Sequence, residues 1–187
     1  MSFQLITISG MLGSGKSTIA KMLAKKLNYA YFSTGDVQRE LALKYGITIT
    51  ELNQLALSDP SIDRQIDKVF QTKSYANKDY IVDSRLAFFF LPESLKIKLD
   101  VDTNVAGQRI FEDHERISVS PYPTVDQAVN TLKKRRSLER ERFKRVYGVD
   151  IDNPENFDFI LDTTYLSPDQ VCDTIIQHFG LTPANRL

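Results

Sequence analysis

Residues 10–18 read Gly10-Met11-Leu12-Gly13-Ser14-Gly15-Lys16-Ser17-Thr18, in which a spaced glycine pair is followed at once by lysine and a hydroxyl residue. This is the G-x-x-x-x-G-K-[ST] pattern of a phosphate-binding loop, the P-loop. Gly10 and Gly15 let the backbone turn where a Cβ would clash, so consecutive N–H groups can point at phosphate oxygens. In such a loop Lys16 reaches the β- and γ-phosphates and the Ser17 hydroxyl is placed to ligate Mg²⁺. The helix that follows adds its positive end to the same anion. With glycine at about 7% of residues, the four fixed positions match by chance in roughly one chain in a hundred of this length. The flanks argue further against chance. Phe3 to Ser9 is β-rich and mostly apolar, as a buried parallel strand is, and Ile19, Leu23 and Leu27 then recur at helical spacing.

A chain of 187 residues is expected to form one domain over 1–187, large enough to bury about 70% of its unfolded surface. Twenty-four basic residues balance twenty-four acidic ones, so no overall field favours nucleic acid or a membrane surface. The single cysteine, Cys172, excludes an internal disulfide and, set among Val171, Ile175 and Ile176, reads as a small core residue. The first residues run straight into a strand and no apolar run is long enough to span a bilayer. A cytoplasmic monomer without nucleic-acid or membrane partners is therefore expected.

Strands and helices alternate along the chain. Tyr29–Phe32, Tyr80–Asp83, Leu95–Val101 and Phe157–Leu161 read as further strands. A helix starts at Thr34 with Val37, Leu41 and Tyr45 on one face and closes at Gly46. Thr50–Leu57 reads as a short helix, and Ser58-Asp59-Pro60 opens another that carries Ile62, Ile66, Val69 and Phe70. Asn104 to Glu115 is expected to be helical and Ile117 to Pro123 a loop; Thr124 and Gln127 then cap a long helix to Tyr147. Ser167, Pro168 and Gln170 cap the last helix, which ends at Gly180. This order implies a five-stranded parallel sheet with helices on both faces, whose ligands sit beyond the carboxyl ends of the strands. The helical excursion over about 34–78 is long for a crossover and is expected to form a lobe over the site.

Several residues near the strand ends have the chemistry of such a site. Asp83 closes an apolar strand, where a carboxylate can hold Mg²⁺ directly or through water; the alternative is a turn or cap aspartate. Arg85, just beyond, is placed to fork onto a phosphate, unless it is an exposed loop arginine. Asp36 and Arg39 are one helical turn apart, either a surface ion pair or an arginine for a second phosphate. The basic run from Lys133 to Arg145 is interleaved with Glu139 and Glu141 and has no stacking aromatics, so most of it reads as a solvated helix face. Three members differ: steps of three and four from Ala128 and Leu132 reach Arg135, Glu139 and Arg142, which should therefore face the protein. Either Glu139 pairs with both arginines as a structural network, or the arginines turn to bound phosphates. His114 and His178 are isolated and carry no metal or catalytic expectation.

The chain resembles the cytidylate kinases, especially the shorter archaeal type. The stretch Ile8 to Thr18 is similar to theirs, as are Ser33-Thr34-Gly35-Asp36 with Arg39, Asp59 to Arg64, Asp83-Ser84-Arg85-Leu86, Tyr147 to Asp152, and Leu161 to Thr163 with Leu166 to Pro168. Arg135, Glu139 and Arg142 fall on the charged pattern of the family's late helix. The resemblance covers most of the chain and thins over Gly107 to Thr124. It implies an α/β P-loop NTPase fold with an acceptor-binding lobe over about 34–78 and a lid over about 107–124. It also implies transfer of the γ-phosphoryl group from ATP, with Mg²⁺, to CMP or dCMP. Lys16, Arg85, Arg135 and Arg142 would then be catalytic, Gly10 to Thr18 would hold ATP, Ser33, Asp36, Arg39 and Arg85 the acceptor, and Ser17 and Asp83 the metal. Two positions depart from the pattern: Asp113 stands where a lid arginine is expected, between Arg109 and Arg116, and Arg136 replaces an acidic residue.

Other acceptors with the same chemistry are AMP, UMP or a small metabolite. A nucleotide-binding regulatory protein without turnover is the reading from a different class. An RNA-binding protein would need a basic patch with stacking aromatics, which the sequence lacks.

Overall fold

The structure is a computed structural model that describes residues 5–72, 79–113 and 122–184. In chain order its elements are β1 (Leu5–Gly10), α1 (Lys16–Leu27), β2 (Ala30–Ser33), α2 (Thr34–Tyr45), α3 (Ile49–Ser58) and α4 (Pro60–Thr72). Then come β3 (Tyr80–Asp83), α5 (Ala87–Phe90), β4 (Leu95–Asp100), α6 (Thr103–Glu112), α7 (Val125–Tyr147), β5 (Phe159–Asp162) and α8 (Pro168–Phe179). They form two compact units. One holds the described residues of Met1–Ser33, Ser74–Val101 and Asn153–Leu187; the other holds those of Thr34–Lys73 and Asp102–Asp152.

The first unit is built on a five-stranded sheet in the order β2-β3-β1-β4-β5, and every pairing is parallel. Ile6 and Ile8 point to one face, where they meet Leu23 and Leu27 of α1 and Val171 and Ile175 of α8 in one cluster. Burying each large aliphatic side chain contributes about 1.5–3 kcal/mol. Cys172 lies in the same cluster, and burial pushes its thiol up to about 11. The opposite face of β1 is buried too, but it carries hydroxyls, and buried hydroxyls need partners. The Thr7 and Ser94 hydroxyls lie 3.1 Å apart, and the Ser9 hydroxyl donates to the Ser84 carbonyl at 2.9 Å. Phe88 of α5 packs on Phe157 on this side, and Lys98 sits over the Phe157 ring while pairing with Asp100 at 3.2 Å. Helices on both faces of a parallel sheet, with a P-loop after the first strand, are the P-loop NTPase fold.

The four expected strands after β1 are present with ends shifted by at most two residues, and β3 matches residue for residue. The single-turn helix α5 was not expected, because four consecutive apolar residues offer no period to read. Residues 3–4, 73–78 and 114–121, with His114, Arg116 and parts of the expected first strand, lobe and lid, lie outside the described residues; Gly107 to Glu112 of that lid belong to α6.

The second unit is helical. Ala42 of α2, Leu52 and Ala56 of α3, and Ile62 and Ile66 of α4 form its one cluster of this kind among the described residues. Of the expected Val37, Leu41 and Tyr45 of α2, the first two are half-buried and Leu41 packs against this cluster. Tyr45 is 46% exposed, and the buried positions are Thr34 and Ala42, since the small alanine allows closer helix contact. Thr48 and Glu51 make a reciprocal capping box that starts α3 slightly earlier than expected. The α6–α7 pair packs through Gly107. A Cβ there would come within 2.3 Å of Val129 Cγ2 and 3.3 Å of its Cα.

Replacing Gly107 by alanine is expected to destabilise the chain by up to about 2 kcal/mol. Overpacking costs about 1–3 kcal/mol and outweighs the roughly 1 kcal/mol gain in helix propensity. Adding Val129→Ala should recover part of that loss. Denaturant melts of the two variants check both statements; a Gly107→Ala protein as stable as the parent would contradict the close approach.

Candidate active site

The loop between β1 and α1 has its shape dictated by glycine. At Gly10, φ is 153°, and a Cβ would lie 2.6 Å from the Leu99 carbonyl oxygen and 2.7 Å from Ser14 Oγ. Gly13 and Gly15 are left-handed as well, with φ of 86° and 80°. The Ser14 amide closes the turn on the Met11 carbonyl at 3.2 Å. No side chain caps α1 and no acidic residue occupies its first turn, so its first backbone N–H groups face the loop. The Thr163 hydroxyl, just past β5, is 3.2 Å from the Ser14 carbonyl and 3.0 Å from the Asp100 carbonyl, either of which can accept its proton.

Asp83 is the centre of the charged groups here. The parallel register places it opposite Ile8 of β1 and Ser33 of β2. It is 2% exposed. The Ser17 hydroxyl donates to its Oδ2 at 2.5 Å, the Tyr31 hydroxyl is 3.3 Å from the same oxygen, and Lys16 Nζ lies 3.6 Å from Oδ1. The expected lysine, serine and aspartate therefore converge. Ser33 is buried at the end of β2, and Arg85 is half-buried after β3. Ser17 and Asp83 are hard oxygen donors of the kind Mg²⁺ takes, in a setting with one carboxylate rather than an all-protein cage. Among the described residues no group of three or more His, Cys, Asp or Glu side chains is arranged for a metal.

The other expected site residues belong to the second unit. Arg39 donates to Asp36 within α2, both about half exposed, so the ion-pair alternative is the arrangement seen. On α7, Glu139 and Arg142 are buried at 8% and 4% exposure, and Arg135 is partly buried. Arg135 Nε donates to Glu139 Oε1 at 2.9 Å. The carboxylate facing Arg142 Nε is Asp63 of α4, at 3.6 Å. Arg135, Glu139 and Arg142 line a cavity of about 240 Å³, with Asn53 and Leu57 of α3 and Tyr122 on its wall. Outside that stripe the α7 bases pair on the surface: Arg136 with Asp152 at 2.9 Å and Arg140 with Asp150 at 2.7 Å.

The model of the cytidylate kinase-like family matches residues 5–165. The chain belongs to this family. The cytidylate kinase of Natronomonas pharaonis is 38% identical over 169 residues, covering 89% of this chain and 84% of that one. The S-adenosylmethionine-dependent nucleotide dehydratase of Lacinutrix mariniflava is 33% identical over 175 residues, covering 93% of this chain; the chain spans only 35% of that longer protein. Among solved structures, the shikimate kinase of Acinetobacter baumannii in complex with shikimate superposes with a TM-score of 0.58 at 17% identity. That match covers 94% of this chain and 92% of the shikimate kinase, and it shares the fold alone. The resemblance read from the P-loop, Ser33 to Arg39 and Asp83 to Leu86 is thus borne out for the family.

Tyr31, Thr163, Asp63, Asp67 and Tyr147 carry contacts that the sequence reading did not assign. Thr163 lay in a stretch already similar to the family's. Asp63 and Asp67 fall within the apolar stripe of Ile62, Ile66 and Phe70, and that spacing was a readable signal.

Lys16→Ala is expected to weaken binding of ATP by about tenfold or more, since a charge-assisted bond contributes about 1.5–3 kcal/mol. Titration calorimetry with the parent and the variant measures it. Equal affinities would remove the loop from nucleotide binding.

Proposed function

We propose that this chain is a nucleoside monophosphate kinase that moves the γ-phosphoryl group of ATP to CMP or dCMP. The observation that carries the reading is the convergence of Lys16, Ser17 and Asp83 at a glycine-shaped loop in a chain of this family. Phosphoryl transfer asks little covalent chemistry of a protein; positioning and charge neutralisation supply most of the rate. An oxygen of the acceptor phosphate bonds to the γ-phosphorus as the bond to the β–γ bridging oxygen breaks, leaving ADP and a nucleoside diphosphate. Loop amides and Lys16 hold the donor phosphates. Ser17 and Asp83 would hold Mg²⁺, which supplies positive charge to the phosphate oxygens when bound.

Arg85 and Arg39 serve the acceptor phosphate in this reading, and Ser33 and Asp36 are assigned to the acceptor as well. For Arg39 this means exchanging its Asp36 partner for the substrate. Arg135 and Arg142 supply further positive charge. The cavity they line offers polar groups, Asn53 and Glu139, beside the apolar Leu57, a combination suited to a nucleoside.

The match to part of the nucleotide dehydratase favours a second reading, in which the chain phosphorylates a different nucleoside monophosphate. An acceptor panel distinguishes the two. With ATP and Mg²⁺, diphosphate formation is expected to be fastest with CMP or dCMP; a faster AMP or UMP reaction selects the second reading, and no transfer to any monophosphate overturns both. Arg39→Ala and Arg85→Ala should each raise the KM for the monophosphate by about tenfold or more while leaving ATP affinity unchanged. Equal losses for both nucleotides would place these arginines on the donor.

A further inference from the structure

We propose that Asp63 and Asp67 of α4 are positioning residues that hold the Arg142 guanidinium of α7 for the acceptor phosphate. The proposal rests on the reading above, in which Arg142 supplies positive charge to the transfer, and it assigns that charge to the acceptor phosphate.

The two carboxylates are four residues apart and so share one face of α4. Both reach α7. Asp63 Oδ2 lies 3.6 Å from Arg142 Nε, and the Tyr147 hydroxyl donates to Asp67 Oδ2. Arg145 of the same helix donates to the Leu57 carbonyl at 2.7 Å, which ties α7 to α3 as well. Asp63 and Arg142 are each 4% exposed. The separation of 3.6 Å is too long for a hydrogen bond. Among the described residues neither Asp63 Oδ2 nor Arg142 Nε has a hydrogen-bond partner. The aspartate therefore attracts the guanidinium without saturating it. Arg142 also stacks against Phe143, with its guanidinium carbon 4.9 Å from the ring centre, and lines the cavity. A buried arginine steered by charge, flanked by a ring and open to a cavity is placed to receive an anion there.

Stability does not account for this arrangement. Buried ion pairs are often no better than apolar residues of the same size, and unsatisfied buried polar atoms are costly. Asp63 is pushed up by burial, opposed by Arg142 and Arg145. Asp67 is pushed up to about 6, first by burial and then by the Asp63 charge, while the Tyr147 hydroxyl and Arg142 act the other way. Burial, and then the Asp67 bond, raise Tyr147 as well. The charged and titratable groups acting on Asp67 are thus Asp63 on its own helix and Arg142 and Tyr147 on α7. The folded chain holds the Asp67 proton more tightly than the unfolded chain does. Its contribution to stability is full below about pH 4 and is lost as pH rises through about 6. Near neutral pH this carboxylate weakens the fold, which fits a residue kept for the charge it presents to the arginine.

A double-mutant cycle tests the proposal. Arg142→Met should raise the KM for the monophosphate by about tenfold or more, leaving the KM for ATP unchanged. Asp63→Asn should raise the same KM by about fivefold in the parent and by less than twofold in the Arg142→Met background. Additive effects would mean that Asp63 acts independently of Arg142 and would overturn the inference. A silent Asp63→Asn beside a damaging Arg142→Met overturns it while sparing the role of Arg142; a silent Arg142→Met overturns the inference and that role, and the kinase reading is tested separately by the acceptor panel. Asp67→Asn, which keeps the hydrogen bond from Tyr147, gives a second route should Asp63→Asn fold poorly. The monophosphate ionises near pH 6 itself, so the readout is the ratio of kcat/KM between parent and variant. That ratio should approach one at pH 5 and grow through pH 6, while the variant melts at a higher temperature than the parent at pH 7.5. A flat ratio, or a variant that is less stable with unchanged kcat/KM, would show Asp67 to be structural.

Discussion

A carboxylate at 2% exposure must find hydrogen bonds or a counter-charge, because bare burial of an ion costs several kcal/mol. Asp83 meets this requirement chiefly with groups that a phosphate-binding loop needs. Its partners are the lysine and the serine that open α1 and a tyrosine of the neighbouring strand. The same contacts therefore fix two things: how the first turn of α1 sits on the sheet, and where the charged groups of the site lie. The parallel register carries this outward, since Asp83 is level with Ile8 of β1 and with Ser33, the last residue of β2. Thr163 ties the P-loop from the other side, through hydrogen-bond contact with the Ser14 carbonyl.

Much of this was legible because its causes are local. Loop chemistry demands glycines at fixed spacing, and an apolar strand ending in aspartate stands out in any reading. The capping pairs at Thr124 and Ser167 mark helix starts within three residues of sequence. What escaped depends on tertiary contact. The most buried position of α2 could not be chosen from its own residues, because Ala42 is selected by the helices it meets rather than by its hydrophobicity. Helix α5 is too short to show a period, and His178 has a stacking partner, Phe159, that only the fold supplies.

The charged stripe of α7 shows both sides of this. Spacing alone placed Arg135, Glu139 and Arg142 inward, and Glu139 and Arg142 are buried. The partner of Arg142 was not readable, since α4 and α7 are far apart in sequence; the neighbouring Tyr147–Asp67 contact spans 80 residues. A helix can announce that a charge points inward. It cannot say which distant helix carries the opposite charge.

The Lys16–Asp83 pair has a consequence for selectivity at the loop. The lysine lies beside a buried carboxylate, so the pair is close to electrically closed. A simple anion such as chloride gains little from a lysine whose field is already cancelled. A bare polyphosphate is drawn by the helix end but meets the negative field of Asp83. Under the proposed function, the complement to this loop is an anion that brings its own positive charge, so that lysine and aspartate each acquire a partner of opposite sign. Discrimination of that kind needs no shape recognition; it follows from placing one negative charge behind a positive one.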